Sequence, residues 1–143
     1  MKKRSILIVA LLLTKIAYAQ ECTQAIFDEA DKNAGHFKSW ENVYAYNKKY
    51  DKCIGSDTLE SVSEGIVRIL SDSWNQLPNL KRLIKKDERF ERFVIDGINS
   101  TVLEDDLLKI HDLAKKQCPK NSSKLCKKIG NKAIKAYKEI NEN

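Results

Sequence analysis

Two cysteines eight positions apart, in the stretch CPKNSSKLC at residues 118–126, have the clearest capacity for covalent chemistry in this chain. Such a pair serves as a disulfide staple, a metal site or a redox centre. A redox centre normally shows C-x-x-C spacing, and seven residues intervene here. Structural zinc wants four ligands. His111 with Cys118 and Cys126 supplies three at unhelpful spacing, and no nearby histidine or cysteine completes the set. The stretch therefore reads as a staple, with no metal and no cofactor expected. Cys22 and Cys53 bring the cysteines to an even four, which suits two disulfides in an oxidising compartment; four cysteines allow three pairings, and spacing alone does not choose among them.

The other polar constellations are weaker. Glu60, Glu64 and Arg68 follow at four-residue steps on one helix face. Glu60 and Glu64 could act as an acid/base pair for glycoside cleavage, but the simpler reading is a solvated face with a Glu-to-Arg ladder. His111 and Asp112, with Asp105 and Asp106 nearby, could be drawn as a base and its orienters. Acids at a helix start need no catalytic role, and His111 falls on an apolar face, so it reads as a half-buried structural histidine. No Ser-His-Asp set, no Gly-rich phosphate loop and no H-E-x-x-H is present. No catalytic residue is assigned.

Binding features are clearer than catalytic ones. Residues 115–143 carry nine lysines and two glutamates, whereas residues 20–80 have a net charge of −4. The last helix is thus a lysine-rich end, represented by Lys124, Lys128 and Lys135. It contains no arginine, which bidentate reading of phosphates and bases prefers, so nucleic acid is not the expected partner. The simplest reading of this end is a solubilising face; the functional alternative is docking, by charge steering, of an acidic protein or an anionic envelope surface. Five aromatics crowd residues 37–50. Some must be core, but Trp40 and Tyr44 join the three lysines as candidate interface residues, Tyr44 because it falls off the main apolar stripe.

The elements that position these residues are all helical. Only seven residues are glycine or proline, and apolar residues recur at helical spacing nearly throughout. The expectation is an all-α, single-domain bundle of about six helices. A first helix over residues 23–34 ends at Gly35. Ser39 caps a second over residues 40–53. Two helices joined by a short turn lie antiparallel, which places Cys22 beside Cys53. This unit has the outline of a tetratricopeptide repeat, but no second copy follows. A third helix, capped near Asp57, runs to about Gln76 with Leu59, Val62, Ile66, Leu70 and Trp74 as its buried stripe. Pro78 breaks the chain. A short helix with Leu80 and Leu83 follows, then one capped by Asp87 that buries Phe90, Phe93 and Val94. Thr101 and Glu104 form a capping box for a helix that carries Leu103, Leu107, Ile110 and Ala114 towards Cys118. Ser122 or Ser123 starts the last helix. The reversal between these two brings Cys118 within reach of Cys126. In the chain-entropy picture the Cys118–Cys126 loop is worth about 2.5 kcal/mol and the Cys22–Cys53 loop about 3.7 kcal/mol.

The N-terminus is read as a targeting segment. Met1-Lys2-Lys3-Arg4 is positive, ILIVALLL at residues 6–13 is apolar, and Ala17-Tyr18-Ala19 matches a signal-peptidase site. Residues 1–19 are expected to be a signal peptide and residues 20–143 the helical domain. The apolar run is too short for a permanent span and no later one is longer, so a soluble mature protein is expected. Cleavage lowers the net charge from +6 to +2, which weakens any argument from the overall basicity.

CIGSDTLESVSEGIVRILSDSW, KKDERFERFVIDGINSTVLEDDLLKI and QCPKNSSKLC, in this order, resemble a group of small exported bacterial proteins with no assigned activity. The resemblance covers residues 53–129, about half the chain. It implies export, a bacterial envelope setting and an all-α fold, and carries no catalytic residue across. The functional expectation is a periplasmic or secreted, non-enzymatic protein that binds another protein, of inhibitor or immunity type. The alternatives are a small cell-wall hydrolase using Glu64 or Glu60, and a helical protein that binds a small ligand in a groove.

Overall fold

Thr23 opens the first helix of the computed structural model, which describes residues 21–142. Its hydroxyl accepts from the Ile26 N–H at 3.4 Å and so satisfies one of the free donors at the start of α1 (Gln24–Asn33). The expected signal segment, residues 1–19, lies outside the described residues. Gly35 ends the helix with φ +73°, and a Cβ there would stand 2.8 Å from the Ser61 carbonyl oxygen. Both the left-handed backbone and the close approach require glycine. Ser39 caps α2 (Trp40–Tyr50), its Oγ accepting from the Asn42 N–H at 3.3 Å. This helix stops at Tyr50, short of the expected Cys53. Cys53 is buried beyond its end and is bonded to Cys22, with Cα atoms 5.3 Å apart.

The next helix, α3 (Ser56–Asp72), starts earlier and ends earlier than its pattern indicates. Gly55 holds the N-cap position, while Thr58 turns inward and donates to Asp31 on α1 at 3.1 Å. A short 3-10 turn at Trp74–Gln76 leads straight into α4 (Leu77–Lys86). Pro78 therefore begins a helix instead of breaking one. In a first turn its missing N–H would have had no helical partner anyway. Asp87 accepts from the Arg89 N–H at 3.1 Å and caps α5 (Glu88–Asp96).

The expected capping box at Thr101 does not form. Leu103 occupies the N-cap of α6 (Glu104–Lys116) and is 74% exposed instead of buried. Thr101 belongs to the preceding loop, where its N–H and hydroxyl both donate to Asn99 Oδ1, at 3.0 and 2.7 Å. The helix instead draws on Glu104, Asp105 and Asp106, whose charges oppose the positive end of its dipole. The last helix is α7 (Ser123–Asn141). Between α6 and α7 the second disulfide joins Cys118 to Cys126, with Cα atoms 6.0 Å apart. The loop that it closes is held from outside as well. Trp74 Nε1 donates to the Gln117 carbonyl oxygen at 2.8 Å, and Lys81 donates to that of Asn121. Asn121 itself sits at φ +63°, a conformation that asparagine tolerates better than most residues.

Among the described residues there are thus seven α-helices, one 3-10 turn and no strand. The closest partners are α6 and α7, which pack along their length. Gly130 allows this approach: a Cβ there would lie 3.0 Å from that of Ala114. His111, half-buried on α6, makes a 3.0 Å hydrogen bond to the Gly130 carbonyl oxygen, so its Nδ1 carries the proton. The central α3 touches both α1 and α6. Lys109 of α6 pairs with Asp72 of α3 at 3.0 Å, and this hydrogen bond holds the Asp72 carboxyl below its ordinary range against some desolvation. The core runs through all of this. Trp40, Ile66, Phe90, Leu107 and Ile129, from five helices, are each no more than 1% exposed. Burial of each contributes about 1.5–3 kcal/mol. No buried side-chain nitrogen or oxygen among the described residues lacks a hydrogen-bond partner.

Candidate functional site

The stretch ERFERF at residues 88–93 repeats every three residues on α5. Three steps along an α-helix fall about 60° short of a full turn. Each second copy is therefore rotated around the helix relative to the first. Phe90 points into the core at 0% exposure, while Phe93 is displaced to the edge and only half-buried. Arg89 and Arg92 are both exposed.

This rotation builds a cleft of about 530 Å³ between α3 and α5. Leu59, Val62, Phe93 and Gly97 supply its apolar surface, and Arg89, Arg92, Asp51 and Asp96 its charges. Leu59 was expected in the buried stripe of α3, yet it is 47% exposed because it faces this cleft. Asn99 closes one end, donating to Ser63 Oγ at 2.9 Å and to the Asp96 carbonyl oxygen at 3.3 Å. Gly97 lets α5 press on α3: a Cβ there would meet Ile66 Cδ1 at 2.6 Å.

A second cleft, of about 770 Å³, lies on the other flank of α5, towards α4 and the start of α7. Ile84 and Ile95 are its apolar residues. Its charged residues are Lys85, Arg92, Lys124 and Lys128 against Glu88 and Glu91. Lys128 is engaged by Glu91 in an ion pair. Arg92 borders both clefts and makes no ion pair or side-chain hydrogen bond with any described residue.

The sequence-derived candidates fall in different places. Lys124 and Lys128 come together in the second cleft, whereas Lys135 lies further along α7 and pairs with Glu139 at 3.8 Å. Tyr44 is half-buried with its ring edge-on to Phe90 at 5.0 Å. Trp40 is 1% exposed and belongs to the core, so it offers no surface to a partner. Glu60 and Glu64 are exposed on α3, and Arg68 donates to the Gly35 carbonyl oxygen at 3.4 Å, where a ladder to Glu64 was expected. All four cysteines are in disulfides.

Neither cleft is lined by a histidine or a thiol, and Ser63 is spent on Asn99. No group of three or more His, Cys, Asp or Glu among the described residues is placed to hold a metal ion. No helix among them is long and apolar enough to cross a membrane. What the arrangement offers is an apolar recess rimmed by two arginines and two aspartates, suited to holding a side chain. Comparison with protein-family models, with curated proteins and with solved structures finds no match. Of the resemblance read from the sequence, the all-helical body with paired cysteines is what stands.

Proposed function

We propose that this chain is exported and that residues 20–143 act as a non-enzymatic protein-binding module, periplasmic or secreted, of inhibitor or immunity type. The observation that carries this reading is where α5 sits. It touches α2 of the hairpin linked by Cys22–Cys53 and α7 of the hairpin closed by Cys118–Cys126. The cleft-bearing helix is therefore seated between two covalently braced units. A surface fixed before a partner arrives loses little conformational freedom on binding. Export accords with the N-terminal pattern and with cysteines that are all bonded, since disulfides persist in oxidising compartments.

The test is capture from a bacterial envelope fraction on immobilised, oxidised protein, with affinity then measured for whatever is recovered. Leu59→Ala is the informative variant, because an exposed residue can be shortened without opening the core. The expected result is one recurrent protein partner whose affinity falls about tenfold in Leu59→Ala, the scale of one apolar anchor. Recovery of no partner, or equal affinity in both forms, would contradict the reading.

A further inference from the structure

Arg92 stands on the ridge between the two clefts, and their linings differ in kind. On the α3 side the recess is apolar, with Leu59 exposed and Phe93 half-buried, and its four charges cancel. On the α7 side four cations face two carboxylates. One of those carboxylates, Glu91, is already engaged with Lys128, which leaves Lys85, Lys124 and Arg92 facing Glu88 alone. Both apolar residues of that cleft, Ile84 and Ile95, are only partly covered.

We propose that the two clefts form one bipartite docking surface for an acidic segment of a partner protein. An apolar side chain of that segment enters the α3–α5 recess. Neighbouring Asp or Glu residues cross Arg92 and reach Lys85 and Lys124. This rests on the protein-binding reading and specifies the partner's chemistry. Charge complementarity selects the occupant. With Arg92 counted once, the two clefts together hold five cations and four carboxylates, and the excess lies on the α7 side, where Lys85, Lys124 and Arg92 face Glu88. A basic segment would be repelled there, and a purely apolar one would leave that excess without a partner. Arg92 is suited to the crossing point because its guanidinium can hold a carboxylate in a two-point, planar contact while its stem packs on apolar surface.

The probe is a library of random short peptides displayed on phage and selected on the oxidised full-length protein. Selected peptides are then made synthetically, and their affinities are measured for wild type, Arg92→Ala, Leu59→Ala and the double variant Lys85→Glu/Lys124→Glu. All four substituted residues are surface positions, partly or fully exposed, and thermal melts check that each variant folds. The expected peptides carry Asp or Glu beside an apolar residue. Their affinity should fall about tenfold or more in Arg92→Ala and in the charge-reversed pair. It should also fall as salt rises from about 0.1 M to about 1 M, where screening shortens from about 10 Å to about 3 Å. Peptides without acidic residues that bind the charge-reversed pair as well as wild type would overturn the proposal, as would a selection that enriches nothing. Either result leaves the capture of a folded partner as a separate measurement, so the broader reading can survive this one's failure.

Discussion

Tyr46 is 5% exposed, and its hydroxyl donates to the Ala30 carbonyl oxygen at 3.0 Å, tying α2 to α1. Burial pushes this phenol up to about 12, with smaller contributions from the nearby Tyr50 and Asp31. In the unfolded chain it would titrate near its ordinary value of about 10. A neutral form that the folded state favours adds stability below about pH 10, and that contribution is lost as pH rises towards about 12. Tyr46→Phe should therefore lower stability at neutral pH by about 1 kcal/mol, the usual worth of one such hydrogen bond. It should also flatten the alkaline fall in stability. Urea titrations of both proteins between about pH 8 and about pH 11.5 measure both effects; parallel alkaline slopes would show that Tyr46 is not the group responsible. Single residues also mark where the sequence could be read and where it could not. Ser39 and Asp87 were legible as caps because an acceptor before an apolar run has one evident use. Thr101 looked equally good, but its hydroxyl was taken by Asn99 two residues away, a local competition that spacing does not reveal.

At the scale of elements, the loop between α6 and α7 answers the question raised by CPKNSSKLC. Its cysteines are joined, and the loop is held by Trp74 and Lys81 from two other elements. Replacing the pair, as Cys118→Ser/Cys126→Ser, should cost about 2.5 kcal/mol in the chain-entropy picture. The external ties should keep the native geometry, so the circular dichroism spectrum at 25 °C should stay that of the wild type. A loss of helix at that temperature would mean that the bond builds the reversal and does not merely brace it. Both disulfide pairings were legible because antiparallel helices with short connections leave few places for their ends. The pair of clefts flanking α5 was less so. Lys124 and Lys128 marked its α7 side, but the ERFERF triplet repeat, its signal on α5, shows as a surface feature only when the rotation of successive triplets is followed. Leu59 misled for the opposite reason. It keeps the apolar spacing of α3, but nothing in that spacing says that the neighbouring helix leaves it uncovered. Pro78 was taken as a break, since a sequence alone does not say which side of a proline the helix occupies.

For the whole molecule, the proposed binding surface is carried on α5 between two braced hairpins. Such a surface should not need to rearrange when occupied, so occupation should register where contact is made and nowhere else. Amide hydrogen exchange on the oxidised protein, free and saturated with its captured partner, tests this most directly. The account predicts added protection confined to α5, the first half of α3, the end of α4 and the start of α7, with α1 and the second half of α7 unchanged. Protection concentrated on α1 or on the far end of α7, or spread across every helix, would contradict it.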